Sequence, residues 1–224
     1  MSIMHNCILR GANAIYNQAG NMSGGTARDV ADFTHFAYQW SLFVKDHHDA
    51  EEEIIFPEMN KKAGVEGLMD ANVAEHRIFH DGLVRYMGYL EDVMHQRERY
   101  DETALVGIMD GFMPALHGHL QREIDYLVRL EEYDDRCDWR AWFEGMMGGF
   151  MRENMKDGEY RREKAPMFFV LHDKSFADGV WGDFPPTPRL VAVVMRMLFL
   201  SKHQAWWRFS GCDLSSRPQK LPFA

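Results

Sequence analysis

Cysteine is scarce in this chain. Its three residues, Cys7, Cys137 and Cys212, are odd in number and far apart. No CxxC pair occurs, so neither a disulfide framework nor a thiolate zinc site is expected, and a reducing compartment is. Long apolar runs are also lacking. The longest, Leu190–Leu200, is interrupted by Arg196 and is too short to span a bilayer. The N-terminal stretch has no basic region followed by an apolar core, so no signal peptide is read there. These absences predict a soluble, cytoplasmic protein. Positive charge is in deficit, with 25 Lys+Arg against 34 Asp+Glu. A net charge of -9 argues against a nucleic-acid partner. Two metal motifs are missing as well: there is no Glu-x-x-His of the ferritin-like di-iron type and no HExxH of the zinc proteases.

The charge is unevenly placed. Residues 1–136 carry 12 Lys+Arg and 24 Asp+Glu, and the remaining residues carry 13 and 10. The two parts therefore differ in kind and can dock partly through opposite charge. Helical periodicity dominates the first part. One stripe carries His5, Ile8, Ala12, Ile15 and Ala19. A second runs through Phe33, Ala37, Trp40, Val44, His48, Glu52 and Ile55. A third holds His76, His80, Leu83, Met87, Leu90 and Met94. The fourth holds Leu105, Met109, Phe112, Leu116, His119, Glu123, Tyr126 and Leu130. Short loops join them, which predicts an all-α, up-down-up-down four-helix bundle over residues 1–132. Pro114 is expected to kink the fourth helix.

Residues 133–224 read as a helical and irregular extension packing on the bundle. They comprise a helix over 138–155, an irregular stretch over 160–188 ending in prolines, and a last helix over 188–211. Trp139, Trp142, Phe143, Met146, Met147, Phe150 and Met151 share one broad face. That face reads as a hydrophobic cover, or as a lid over a small-molecule pocket.

Histidine and carboxylate recur at core positions. His48/Glu52, His76/His80 and His119/Glu123 are spaced i,i+4, which places each pair on one helix face. His47/Glu51 is an alternative register. Chance alone would produce about one His-x-x-x-Glu in such a chain, and this chain has three. A Glu or His on a core stripe is costly unless paired or bound to a metal, so four helices presenting such groups inward predict a shared cation site. The donors are too many for one ion and suit two. Imidazole with carboxylate suits iron, and manganese or zinc according to supply.

The run His47-His-Asp-Ala-Glu-Glu-Glu-Ile-Ile-Phe-Pro57, then Glu75-His-Arg-Ile-Phe-His80, then His119-Leu-Gln-Arg-Glu123, resembles the hemerythrin family in its HHE cation-binding form. The resemblance implies a non-haem centre of two iron ions held by His5, His48, Glu52, His76, His80, His119 and Glu123. Glu52 and Glu123 would bridge, and the family pattern before Phe56-Pro57 favours Glu52 over Glu51. Dioxygen is the implied ligand or substrate, with Leu116 forming an apolar wall of its pocket. His35 lies 13 residues before His48, about 20 Å along a continuous helix, too far to serve the same centre. The expected function is binding of iron and dioxygen for carriage, storage or sensing. The alternative is a di-iron oxidase or oxygenase acting on a small organic substrate beneath the extension.

Overall fold

The computed structural model describes residues 1–184 and 189–224, and only the backbone of residues 189–192, 194 and 195. The prolines at 185, 186 and 188, expected to end the irregular stretch, lie outside the described residues. No strand occurs among the described residues. The bundle consists of α1 (Ser2–Ala19), α2 (Ala27–Ala50) continuing into α3 (Phe56–Ala63), α4 (Asp70–Met94) and α5 (Glu102–Val128). This is the expected up-down-up-down arrangement.

Local chemistry sets the helix ends. Thr26 caps α2 by accepting from the Asp29 amide, and Asp29 returns the bond to the Thr26 amide, a reciprocal capping box. Asp101 caps α5 through the Ala104 amide. Gly64 ends α3 in the left-handed conformation. Between α2 and α3, Glu51–Ile55 form one turn of π-helix, in which the Phe56 amide reaches back to the Glu51 carbonyl. Pro57 accounts for it, since proline has no N–H to give and its ring clashes with the carbonyl four residues back. Pro114, by contrast, lies inside α5, which runs on through it as one element.

The main core lies between the helices, with Trp40, Phe33, Phe36, Tyr86 and Phe112 at its centre. Trp40 donates its indole N–H to the Ile8 carbonyl, tying α2 to α1. Helices α4 and α5 approach closely at Gly82, where an added Cβ would stand 2.3 Å from Phe112 Cβ. Cys7 and Cys212 are buried free thiols, pushed up to about 12 and about 11 by burial.

The extension adds α6 (Trp139–Asn154), α7 (Ala165–Leu171), α8 (Arg189–Leu200) and α9 (Gln204–Trp207). It departs from expectation in two places. The stretch read as irregular contains α7, whose Met167, Val170 and Leu171 join the main core. The last helix is broken before α9, where Ser201 Oγ bonds the Leu198 carbonyl in place of the helical ladder. Opposite charge does contribute to docking. Arg208 binds Asp29 at 2.6 Å, and Lys164 binds Asp46 at 2.7 Å. Trp206 lies flat between His35 and His203, with ring centroids 4.4 and 3.7 Å away. His35 is therefore engaged by the extension.

Candidate metal centre

One end of the bundle gathers five imidazoles and two carboxylates. His48, Glu51, His76 and His119 offer donor atoms that all lie within 4.8 Å of one another. So do His5, His47, Glu51 and Glu123. Glu51 belongs to both sets because it stands i+4 from His47 and i+3 from His48, between their two directions. The cluster is bounded by Phe79 of the main core, 4.9 Å from the His48 ring, and by Phe56, 5.8 Å from the His76 ring.

The rings are held from behind. His5 Nδ1 donates to the Leu120 carbonyl at 3.0 Å, and His48 Nδ1 to the Val44 carbonyl at 2.8 Å. His76 Nδ1 donates to Glu52 at 2.7 Å, and His119 Nδ1 to Glu75 at 3.1 Å. Glu75 is itself fixed by Arg122 Nε at 2.7 Å. A carbonyl or carboxylate only accepts, so each Nδ1 carries the proton and each Nε2 faces inward with a lone pair. The inward atoms are left without suitable partners. His5, His47 and His48 Nε2 and both oxygens of Glu51 and Glu123 are buried and make no well-formed hydrogen bond. His76 and His119 bring their Nε2 atoms to 3.0 Å. With both Nδ1 positions protonated, that is lone pair against lone pair.

Electrostatics points the same way. Burial pushes His47 down to about 3 and His119 to about 4, and holds His48 well below and His76 below the ordinary imidazole value. All four are neutral near pH 7, the form that binds metals. Burial and the facing Glu123 push Glu51 well above the usual carboxylate range. Burial would raise Glu123 too, but it is held low where His5, 2.9 Å away, takes a proton on Nε2 and donates it. A cation among these groups would satisfy the lone pairs and relieve the carboxylate pair together.

Of the residues expected from sequence, the cluster unites His5, His48, His76, His119 and Glu123. His80 and Glu52 lie outside it. The His80 side chain is 66% exposed and faces Asp81. Glu52 is 41% exposed and supports His76 from outside. The phase of each stripe explains both. The buried residues of α4 include the stripe Asn72, His76, Phe79, Leu83, Tyr86, Leu90, alternating steps of four and three. That stripe is centred about 40° to one side of His76, and His80 lies about 40° to the other. The inward residues of α2 run Phe33, Ala37, Trp40, Val44, His48. The next step of three reaches Glu51, not Glu52. His47 and Glu51, the alternative register, offer their donor atoms to the cluster, and pair spacing alone did not separate them from His48 and Glu52. Nothing local marked Glu75 or Glu52 as the supports of the rings. Leu116 is fully buried in the main core, and His117 is exposed.

The model of the hemerythrin HHE cation binding domain family matches residues 3–130. The chain belongs to the hemerythrin HHE family. The match covers the bundle and stops where the extension begins. A curated relative, "Dimeric xanthone biosynthesis cluster protein R11" of Cryptosporiopsis sp. (strain 8999), is 29% identical over 223 residues, spanning 100% of this chain and 81% of its own length. That HHE-type bundle and its extension therefore align together. No solved structure gives a significant match. No described helix is long and apolar enough to cross a membrane.

Proposed function

We propose that the protein is a non-haem di-metal protein of the hemerythrin type, binding two iron ions and dioxygen in the bundle core. His48, His76 and His119 would hold one ion, and His5 and His47 the other. Glu51 and Glu123 would serve both. The single observation behind this reading is the meeting of His76 and His119 Nε2 at 3.0 Å with both Nδ1 atoms already donating. Bound there, the iron pair supplies redox chemistry with dioxygen. The chain itself orients the imidazoles from behind, and excludes water with Phe56, Phe79 and Leu116.

Metal content per chain tests the ligand set. Wild type is expected to hold two ions, while Glu51→Gln and His119→Ala lose metal. Glu52→Gln and His80→Ala should keep two. Loss in the second pair with retention in the first would refute the site as drawn. Reducing the loaded protein anaerobically and admitting oxygen tests the ligand: a visible band that comes and goes with oxygen supports reversible binding.

A second reading, an iron-dependent oxidoreductase acting on a small organic molecule, has a specific observation in its favour. The relative named for dimeric xanthone biosynthesis aligns with the extension as well as the bundle. A visible band that decays irreversibly, leaving oxidised iron, would favour this reading.

A further inference from the structure

The metal-bearing end of the bundle is closed by a second apolar cluster, separate from the main core. Ile55, Phe56, Met59, Met69 and Leu130 form it, and Trp139, Trp142, Phe143 and Met146 of α6 pack on it from outside. Along α4, a polar side chain with no role so far stands between this cluster and the donor groups. Asn72 lies in the first turn of α4, three residues after Met69 and four before His76. It is completely buried, and neither its amide nitrogen nor its amide oxygen has a hydrogen-bond partner. A buried amide in that state carries its whole desolvation penalty, which is why such groups are rare.

Three observations say what Asn72 faces. The first is register. Helices α4 and α5 run antiparallel, with His76 meeting His119 and Gly82 meeting Phe112. Both rise equally per residue, so a step back along α4 matches a step forward along α5. Asn72, four before His76, therefore stands level with Glu123, four after His119. The second is phase. Residues four apart share a helix face, and Asn72 and His76 are buried on α4 as His119 and Glu123 are on α5. The third is the donor set. His5 from α1, His47 from α2, Glu51 from the π turn and Glu123 from α5 make up the second group of donors. Helix α4 gives that group no ligand atom; what it brings to the level of Glu123 is Asn72.

The Glu123 carboxylate has need of such a neighbour. Four of the imidazoles are held from behind by carbonyls or carboxylates. Both oxygens of Glu123 lack a well-formed hydrogen bond. Its Oε2 lies 2.9 Å from His5 Nε2, an atom that a bound cation would claim. Carboxylates that hold metals are themselves hydrogen-bonded. An amide N–H is a neutral donor, so it can serve a carboxylate without repelling the cation beside it.

We propose that Asn72 is the positioning residue of Glu123: with the centre loaded, its Nδ2–H donates to the Glu123 carboxylate and keeps it turned to the ions. This rests on the two-ion reading. It gives the amide a cost in the metal-free chain and a partner in the loaded one.

Thermal melts and chelator competition on the full chain, with ferrous iron under anaerobic conditions, test it. Asn72→Leu keeps the branched shape without polar atoms, and should melt no lower than wild type when metal-free. Iron should raise its melting temperature less than that of wild type, and should bind about 10–100-fold more weakly. Asn72→Ala, which adds no bulk, should show the same loss of affinity. Both variants should still take up two ions. Infrared difference spectra, loaded against metal-free, should show a carboxylate band displaced in Asn72→Leu. A metal-free Asn72→Leu chain that melts below wild type makes Asn72 a strut of the fold. Loss of one ion from either variant makes it a ligand. Full affinity in Asn72→Ala leaves only the bulk of leucine to account for any loss, and unmoved carboxylate bands remove the hydrogen bond. Each of these results overturns the proposal. A wild-type chain that takes up no iron defeats the two-ion reading and this proposal with it. Two ions held equally tightly by all three chains defeat the proposal alone.

Discussion

Each imidazole of the cluster is defined by what holds its far side. Backbone carbonyls anchor His5 and His48, so no side-chain substitution can release them. Carboxylates anchor His76 and His119, and those can be removed. Glu75→Gln keeps the size of the support but replaces a charged acceptor with an amide. Metal affinity is expected to fall about 10–100-fold, since such supports set both tautomer and basicity, and competition against a chelator measures it. A second residue-scale prediction concerns Asp29. Its bonds to Thr26, and then to Arg208, hold its carboxyl down at about 2, against an ordinary 3.8. The folded state thus favours the ionised form. The stability this confers is present above pH 4 and is lost as pH falls towards 2. Asp29→Asn should melt lower than wild type at pH 7 and show a weaker loss of stability between pH 4 and 2, seen in thermal melts across that range.

At the scale of elements, the close approach of α4 and α5 is a condition for the site. His76 and His119 come from these two helices, and their Nε2 atoms meet at 3.0 Å. Gly82 permits that approach two turns further along. Gly82→Ala must push Phe112 or its helix aside, at a cost of about 1–3 kcal/mol typical of overpacking. A fall in urea midpoint with unchanged m-value checks it. The π turn plays a different part. It begins at Glu51, after the α2 donors are set, and rephases the chain so that Ile55, Phe56 and Met59 face the second cluster. Pro57 makes this turn readable in retrospect, but proline alone does not say whether a helix kinks, ends or bulges. Pro114 shows the ambiguity, since α5 absorbs it.

Over the whole molecule, the extension is part of the core. Met167, Val170, Leu171, Trp207 and Phe209 are buried in the same cluster as Ile8, Trp40 and Phe33. Gln18 of α1 also donates to the Phe209 carbonyl at 2.8 Å. Burying each such side chain contributes about 1.5–3 kcal/mol. Truncation after residue 132 would therefore expose a wide apolar face on α1 and α2. The shortened chain is expected to aggregate or to lose its cooperative melt, whether or not metal is supplied. Size-exclusion chromatography and circular dichroism on the two lengths test this.

The amino-acid order by itself determined the four-helix bundle. Its stripes at 5–8–12–15–19 and 105–109–112–116–119–123 are long and regular, and periodicity of that length leaves one simple packing. It also determined the metal chemistry, because His and Glu on core stripes have no cheap alternative to a cation. The choice between Glu51 and Glu52, the exclusion of His80 and the entry of His47 were decided in three dimensions. An i,i+4 step overshoots a full turn by about 40°, so the spacing of a pair cannot say which of two neighbours points inward. That depends on the phase set by Phe79, Leu83 and Tyr86 against the other helices. The place of α6 over the metal-bearing end was likewise decided by tertiary contacts, since an amphipathic face records that it is covered but not by what.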